Sequence, residues 1–295
     1  PEGLDNNAYT NVMVVWLLAR ARRALDLVPE FRHRELWEKL GLRREELERW
    51  EDICDRMYVP FHGDGIISQF EGYDDLDEFD WAGYTERYGN IQRLDRILEA
   101  EGISANDFKV SKQADVLMLF YLLAESEIAD IFERLGYEWD PSMVADNVDY
   151  YLARTSHGST LSRVVQSYVL ARTDRRRSWT AFLEALRSDV ADVQGGTTAE
   201  GVHLGAMAGT VDLVQRCFSG LETRDGRLWF RPAIPAEVRS LRFSLQYRGG
   251  WVDCEMTTDT MTITSREGAA RPIQVAVNDE HFELSPGAAR SVALS

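Results

Sequence analysis

The hydrophobic period changes near residue 220, and that change constrains the fold more than any other feature of the chain. Before it, apolar residues recur at helical spacing: Val12, Val15, Trp16 and Ala19 in one segment, Leu47, Trp50, Ile53, Cys54 and Met57 in another. After it, "LRFSLQYRG" sets Leu241, Phe243, Leu245 and Tyr247 against polar neighbours, which is the period of a strand. "WVDCEMTT", "TMTITSRE", "PIQVAVND", "HFELS" and "RSVALS" follow at short spacing with turns between. The pattern predicts a mainly α chain with a helical part over 1–220, then a small antiparallel β domain over 221–295. Helices are expected over 10–28, 44–57, 112–125, 128–135, 142–153, 161–172, 178–187 and 199–218. Gly136 stops the fourth, and the run at 112–125 is apolar almost all round, as in a fully buried helix. Residues 58–81, rich in Gly, aromatics and acids, read as one long loop.

Charge narrows the partners. The 33 Lys and Arg face 49 Asp and Glu over 295 residues, a formal charge of −16. Binding to nucleic acid or to an anionic membrane leans on a basic surplus, so both are excluded as partners. A small anion needs only a local nest of donors and is not excluded. Cys54, Cys217 and Cys254 are odd in number and far apart, without metal-ligand or disulfide spacing, which points to a reducing cytoplasm. No run reaches membrane-span length, and the acidic N-terminus is not a targeting signal.

Three places could carry chemistry. In "ARTSHGSTLSRVV" (153–165) a helix begins near Ser159 or Thr160, directly after Thr155, Ser156, His157 and Gly158. The unpaired N–H groups of a helix front favour an anion, with hydroxyls as added donors. A plain Ser/Thr N-cap explains the same residues, and spacing alone favours it. In "DVQGGTTAEGVHLGAMAGTVDLV" (192–214), Gly195, Gly196, Thr197 and Thr198 open a second helix in the same manner. Gly201, Gly205 and Gly209 then recur every fourth residue, as close helix packing requires. Lys112 and Gln113 fall in the first turn of the most apolar helix, where a cation opposes the helix dipole. The pair reads equally as a snorkelling lysine or as a pocket wall for a polyhydroxylated or anionic ligand.

Other chemistries lack their residues. His33, His62 and His281 have no companions at ligand spacing, so no metal site is expected. Ser156 and His157 are adjacent without a nucleophile elbow, which argues against serine hydrolysis. "YDDLDEFDW" (73–81) reads most simply as a solvated acidic loop, with the lining of a sugar cleft by paired carboxylates as the lesser alternative.

"LDNNAYTNVM" (4–13), "SKQADVLMLFYLL" (111–123), "YYLARTSHGSTLS" (150–162) and "GGTTAEGVHLGAMAGTVDLV" (195–214) resemble the C-terminal half of glycoside hydrolase family 65, in the family's order. The resemblance implies part of an (α/α)6 catalytic barrel followed by a small β-sandwich domain. It implies an inverting disaccharide phosphorylase, in which a glutamic acid protonates the glycosidic oxygen while inorganic phosphate attacks the anomeric carbon to give β-glucose 1-phosphate. On that pattern Lys112 and Gln113 bind the sugar. Thr155, Ser156, His157, Gly158, Ser159 and Thr160 hold phosphate, with Gly195, Gly196, Thr197 and Thr198 as the second loop. Phosphate is a co-substrate, and no metal or organic cofactor is implied. The family's acid lies in a Glu-Tyr-His motif upstream of residue 1, so this chain is expected to be a fragment without a catalytic residue, inactive alone and partnered by the N-terminal part of the enzyme. A homodimer is a weaker implication. A hydrolase of the same family, and a non-catalytic sugar- or anion-binding or structural half, are the alternatives.

Overall fold

The computed structural model describes residues 4–63, 65–171, 173–193, 196 and 198–294. The chain divides into two compact units, residues 1–158 and 159–295. The division falls inside the helical region, well before the change from helix to strand.

The first unit holds α1 (Ala8–Asp26), α2 (Glu30–Leu40), α3 (Arg44–Arg56), α4 (Trp81–Tyr88), α5 (Leu94–Glu101), α6 (Asp115–Leu122), α7 (Glu125–Arg134) and α8 (Ser142–Leu152). Asn7 caps α1 by accepting the Thr10 N–H at 2.8 Å, and Ala8, Val12 and Val15 form its buried face. α2 was not expected from the apolar pattern. It buries no residue, and only Pro29 before it and the left-handed Gly41 after it mark its ends. The helix expected over 112–125 is shorter, because α6 begins at Asp115 and ends before an extended Leu123.

The expected loop 58–81 carries more structure than its composition shows. It contains a two-residue hairpin, β1 (Phe61–His62) with β2 (Ile66–Ile67), and a 3-10 turn over Tyr73–Asp75. The fully buried Asn147 of α8 holds it. Its side chain accepts the Ile67 N–H at 2.9 Å and donates to the Gly65 and Met143 carbonyls at 3.0 and 2.8 Å. Gln69 ties two helix fronts together: its carbonyl accepts the Ala8 N–H at 3.0 Å, and its side-chain oxygen accepts the Asp115 N–H at 3.1 Å.

The second unit begins with α9 (Thr160–Leu170), α10 (Arg175–Arg187) and α11 (Leu204–Asp212), then a π turn over Leu213–Cys217. α10 starts three residues earlier than expected because Asp174 accepts the Arg177 N–H at 2.9 Å. The helix expected over 199–218 is broken. A 3-10 turn covers Thr198–Glu200, and Gly201, at φ +102°, lies outside α11. Gly209 fulfils the close-packing expectation, because a Cβ there would stand 2.7 Å from Cγ1 of Val164 on α9. One at Gly205 would stand 3.7 Å from Leu161. Both pairs ascend together, so α9 and α11 run parallel with their N-termini at one end.

The β part has two four-stranded sheets. One is ordered β10 (Ala289–Ala293), β7 (Thr260–Ser265), β6 (Gly250–Met256), β5 (Leu241–Tyr247) and is antiparallel throughout. The other is ordered β3 (Glu222–Arg224), β4 (Arg227–Phe230), β8 (Ile273–Val277), β9 (Glu280–Leu284). Its β4–β8 pair is parallel, the exception to the antiparallel reading. Three strands of the first sheet, β5, β6 and β7, intervene in sequence between those two strands, so no tight turn constrains their direction. Leu228, Phe230, Val252, Cys254, Met256, Met261, Ile263, Val275 and Val277 form the common core.

Three measurements check these contacts. Asn147→Ala leaves a buried donor and acceptor unpaired, so denaturant melts should show a loss of roughly 2–4 kcal/mol. Gly209→Ala should cost about 1–2 kcal/mol by crowding Val164, and the double variant with Val164→Ala should be less unstable than the sum of the single changes. Hydrogen bonds from Arg266 and Ser244 hold the Asp253 carboxyl of β6 down to about 2, against roughly 4 in an unfolded chain. Its contribution is therefore present above about pH 4 and lost as the pH falls toward 2. Asp253→Asn should flatten the pH dependence of stability across that window.

Candidate active site

In the first unit two backbone hydrogen bonds join segments far apart in sequence. The Ser111 N–H donates to the Arg154 carbonyl at 3.0 Å, and the Ser156 N–H donates to the Ser111 carbonyl at 2.8 Å. They make a parallel bridge between Ser111 and Thr155. Lys112 and Gln113 therefore follow an extended, bridged residue and precede α6, rather than occupying its first turn. The conflict between a lysine and the helix dipole does not arise.

The bridge sets Lys112 beside the loop 155–158. Thr155 and Ser156 are buried, and their hydroxyls donate to the Tyr151 and Ser111 carbonyls at 2.7 and 3.3 Å. His157 has a left-handed backbone, φ +57°, a conformation uncommon outside glycine. Gly158 is enclosed: a Cβ would stand 2.6 Å from the Gln92 carbonyl, 3.4 Å from Cγ of Lys112 and 3.5 Å from Oγ of Ser156. Only glycine lets these three groups meet.

Lys112 does not snorkel free. Its ammonium pairs with Asp95 Oδ2 at 2.9 Å, and Asp95 Oδ1 takes Arg93 Nε at 3.5 Å. Burial works to raise the Asp95 carboxyl, but hydrogen bonds from Lys112 and Arg93 outweigh it and hold the group below the ordinary range. Gln113 donates to the Ala114 carbonyl at 3.3 Å, and its Oε1 is enclosed without a hydrogen-bond partner. Arg154 is engaged by Glu78 at 2.9 and 3.1 Å and lies 3.7 Å over the Tyr150 ring.

In the second unit Ser159 is the N-cap of α9, its Oγ accepting the Leu161 N–H at 3.3 Å, and Thr160 is buried in the first turn. The capping reading of Ser159 is thus realised. The second loop precedes α11 in sequence, and α9 and α11 have their N-termini at one end. Gly195 and Thr197 lie outside the described residues. Of the others, the Gly196 N–H donates to both oxygens of Asp192, at 2.7 and 2.8 Å, and the Thr198 N–H donates to one at 3.3 Å. At Gly196 and Thr198, the described residues of that loop, the amides expected to hold phosphate are engaged by the Asp192 carboxylate. Thr198 Oγ1 is enclosed without a partner. Asp189 receives the His203 N–H at 2.8 Å and stands 2.6 Å from its Nδ1, and these hydrogen bonds hold the Asp189 carboxyl below its usual range.

Lys112, Gln113 and residues 155–158 are thus brought together in one unit. Ser159, Thr160, Gly196 and Thr198 belong to the helix fronts of the other. Asp95, Asp189 and Asp192 were missed from sequence. Asp192 had a signal, an acid placed before a Gly-Gly-Thr-Thr loop whose amides it can cap. Asp95 had none, being one acid among many. Among the described residues no group of three His, Cys, Asp or Glu is placed to hold a metal ion.

The central catalytic domain of glycosyl hydrolase family 65 matches residues 1–212, and the family's C-terminal domain matches residues 221–284. An uncharacterized glycosyl hydrolase of Mycobacterium tuberculosis is 56% identical over 274 residues, which are 93% of this chain and 21% of that protein. Trehalose 6-phosphate phosphorylase of Lactococcus lactis is 36% identical over 287 residues, 97% of this chain and 35% of that enzyme. A solved structure from the human microbiome, assigned as a kojibiose phosphorylase, superposes with a TM-score of 0.74 over 99% of this chain and 40% of its own, at 19% identity, so the fold is shared. The chain spans well under half the length of each of these proteins. With one domain matched on its helical part and the other on its strands, the chain belongs to glycosyl hydrolase family 65.

Proposed function

We propose that the chain is part of an inverting disaccharide phosphorylase, which cleaves an α-glucoside with inorganic phosphate and releases β-glucose 1-phosphate. The observation that carries this reading is the Ser111–Thr155 bridge, which sets the Lys112–Gln113 pair against the hydroxyl-rich loop 155–158. Phosphorylases among the relatives support it. In this reading Lys112 and Gln113 orient the glucosyl unit. Phosphate is the nucleophile, and the residues assigned to it are Thr155, Ser156, His157 and Gly158 in the first unit and Ser159, Thr160 and the loop 195–198 in the second. Positioned donors stabilise the charge that moves between phosphate and the anomeric carbon, and the left-handed His157 presents its ring from a fixed backbone. The proton donor stands outside this chain, on the part of the enzyme that precedes it, and no metal or organic cofactor takes part. A cytoplasmic location and a homodimer complete the reading.

The test uses the complete enzyme that carries these residues, assayed on disaccharides, trehalose 6-phosphate included, with and without phosphate. Glucose 1-phosphate of β configuration should form only when phosphate is present, and His157→Ala should lower kcat/KM for phosphate by about 100-fold or more. Free glucose released at the same rate without phosphate would replace this reading with a hydrolase. No turnover under either condition would replace it with a binding or structural role.

A further inference from the structure

The segment 90–95 belongs to none of the motifs singled out in the sequence, yet three observations place it at the candidate site. The Gln92 carbonyl closes on Gly158 so tightly that a Cβ there would stand 2.6 Å away. The Asp95 carboxylate holds the Lys112 ammonium at 2.9 Å. Gln92 Oε1, like Gln113 Oε1, is enclosed without a hydrogen-bond donor, so both segments carry acceptors whose demand is unmet. The turn is fixed locally, because Asn90 Oδ1 accepts the Gln92 N–H at 3.0 Å.

The Asp95–Lys112 pair is not sealed in the interior. The Lys112 side chain is 51% exposed and that of Asp95 33%, so both charged ends can be reached from solvent while Cγ of Lys112 rests near Gly158. An ammonium donates and never accepts, and an ionised carboxylate accepts and never donates. A hydroxyl does both. A carboxylate and an ammonium held side by side therefore match two neighbouring hydroxyls, one donating to oxygen and the next accepting from nitrogen. Charge-assisted hydrogen bonds of this kind are stronger than neutral ones. The chemistry selects a vicinal diol, as a hexose ring presents, over a phosphoryl group, which would meet repulsion from Asp95.

We propose that Asp95 is a substrate-binding residue of this enzyme, and that Asp95 and Lys112 together clamp two adjacent hydroxyls of the bound hexose. This rests on the disaccharide reading above. It adds a specificity-determining carboxylate and makes the segment 90–95 a wall of the sugar site.

The experiment compares wild-type complete enzyme with Asp95→Ala and Lys112→Met, on the disaccharide and on a series of monodeoxy analogues of its glucosyl unit. Asp95→Ala should raise KM for the disaccharide about tenfold or more and leave KM for phosphate within about twofold. In wild type, each deoxy analogue that removes a clamped hydroxyl should carry a penalty. The penalty at one ring position should vanish in Asp95→Ala, and the penalty at the adjacent position should vanish in Lys112→Met. Penalties that stay the same in Asp95→Ala at every position would overturn the proposal, whatever happens to KM. Glucose binding by calorimetry on the same proteins separates this failure from failure of the functional reading. Weaker glucose binding in Asp95→Ala supports the clamp even where phosphate is not consumed, and unchanged binding overturns it. A wild-type enzyme that neither binds glucose nor turns over overturns both. Thermal melts of the variants establish that they are folded.

Discussion

Two backbone hydrogen bonds about Ser111 decide where the chemistry of the first unit can sit. They clamp an extended residue against the strand-like start of the 155–158 loop, and the placement of Lys112 beside Gly158 follows from that register. Shifting the pairing by one residue would point Lys112 to the opposite face, because side chains alternate along an extended chain. The surroundings hold the bridge. Ser111 is linked on one side to α6, whose front is anchored by Gln69. Thr155 is linked on the other side to α8, where its hydroxyl caps the Tyr151 carbonyl. The ends of α6 and α8 thus carry the Lys112–Gln113 pair and the 155–158 loop.

Most of the architecture was legible from periodicity. The helix-to-strand change near 220, the strands from Leu241 onward and the buried α6 all follow from the spacing of apolar residues. α2 was not, because it buries nothing and periodicity reports burial rather than helicity. The start of α6 was misplaced because a helix apolar on every side carries no phase from which to read an end. The break at Gly201 was missed because a glycine at fourth-residue spacing looks the same inside a helix and before one, and only its positive φ separates the two.

The candidate site divides in the same way. Residues 155–160 stood out because hydroxyls, a glycine and a histidine crowd a helix front. Lys112 and Gln113 stood out because they are polar beside an apolar run. Their meeting was invisible to local reasoning, since the Ser111–Thr155 pairing spans 44 residues of sequence. Asp95 is fixed by the same kind of long-range contact. Its neighbours in sequence, an arginine on each side two residues back and one ahead, suggest only a solvated helix front.

Asp192 has a consequence for any oxyanion that takes its place. At Gly196 and Thr198 the backbone amides already have a carboxylate acceptor and leave no main-chain donor wanting. Entry of a second anion is then an exchange in which the number of N–H···O contacts need not change. Selectivity comes from the difference between a tethered, singly charged group and a free, more highly charged one, together with the cost of drawing each out of water. In the phosphate-binding reading proposed above, discrimination at Gly196 and Thr198 is by substitution rather than by capture.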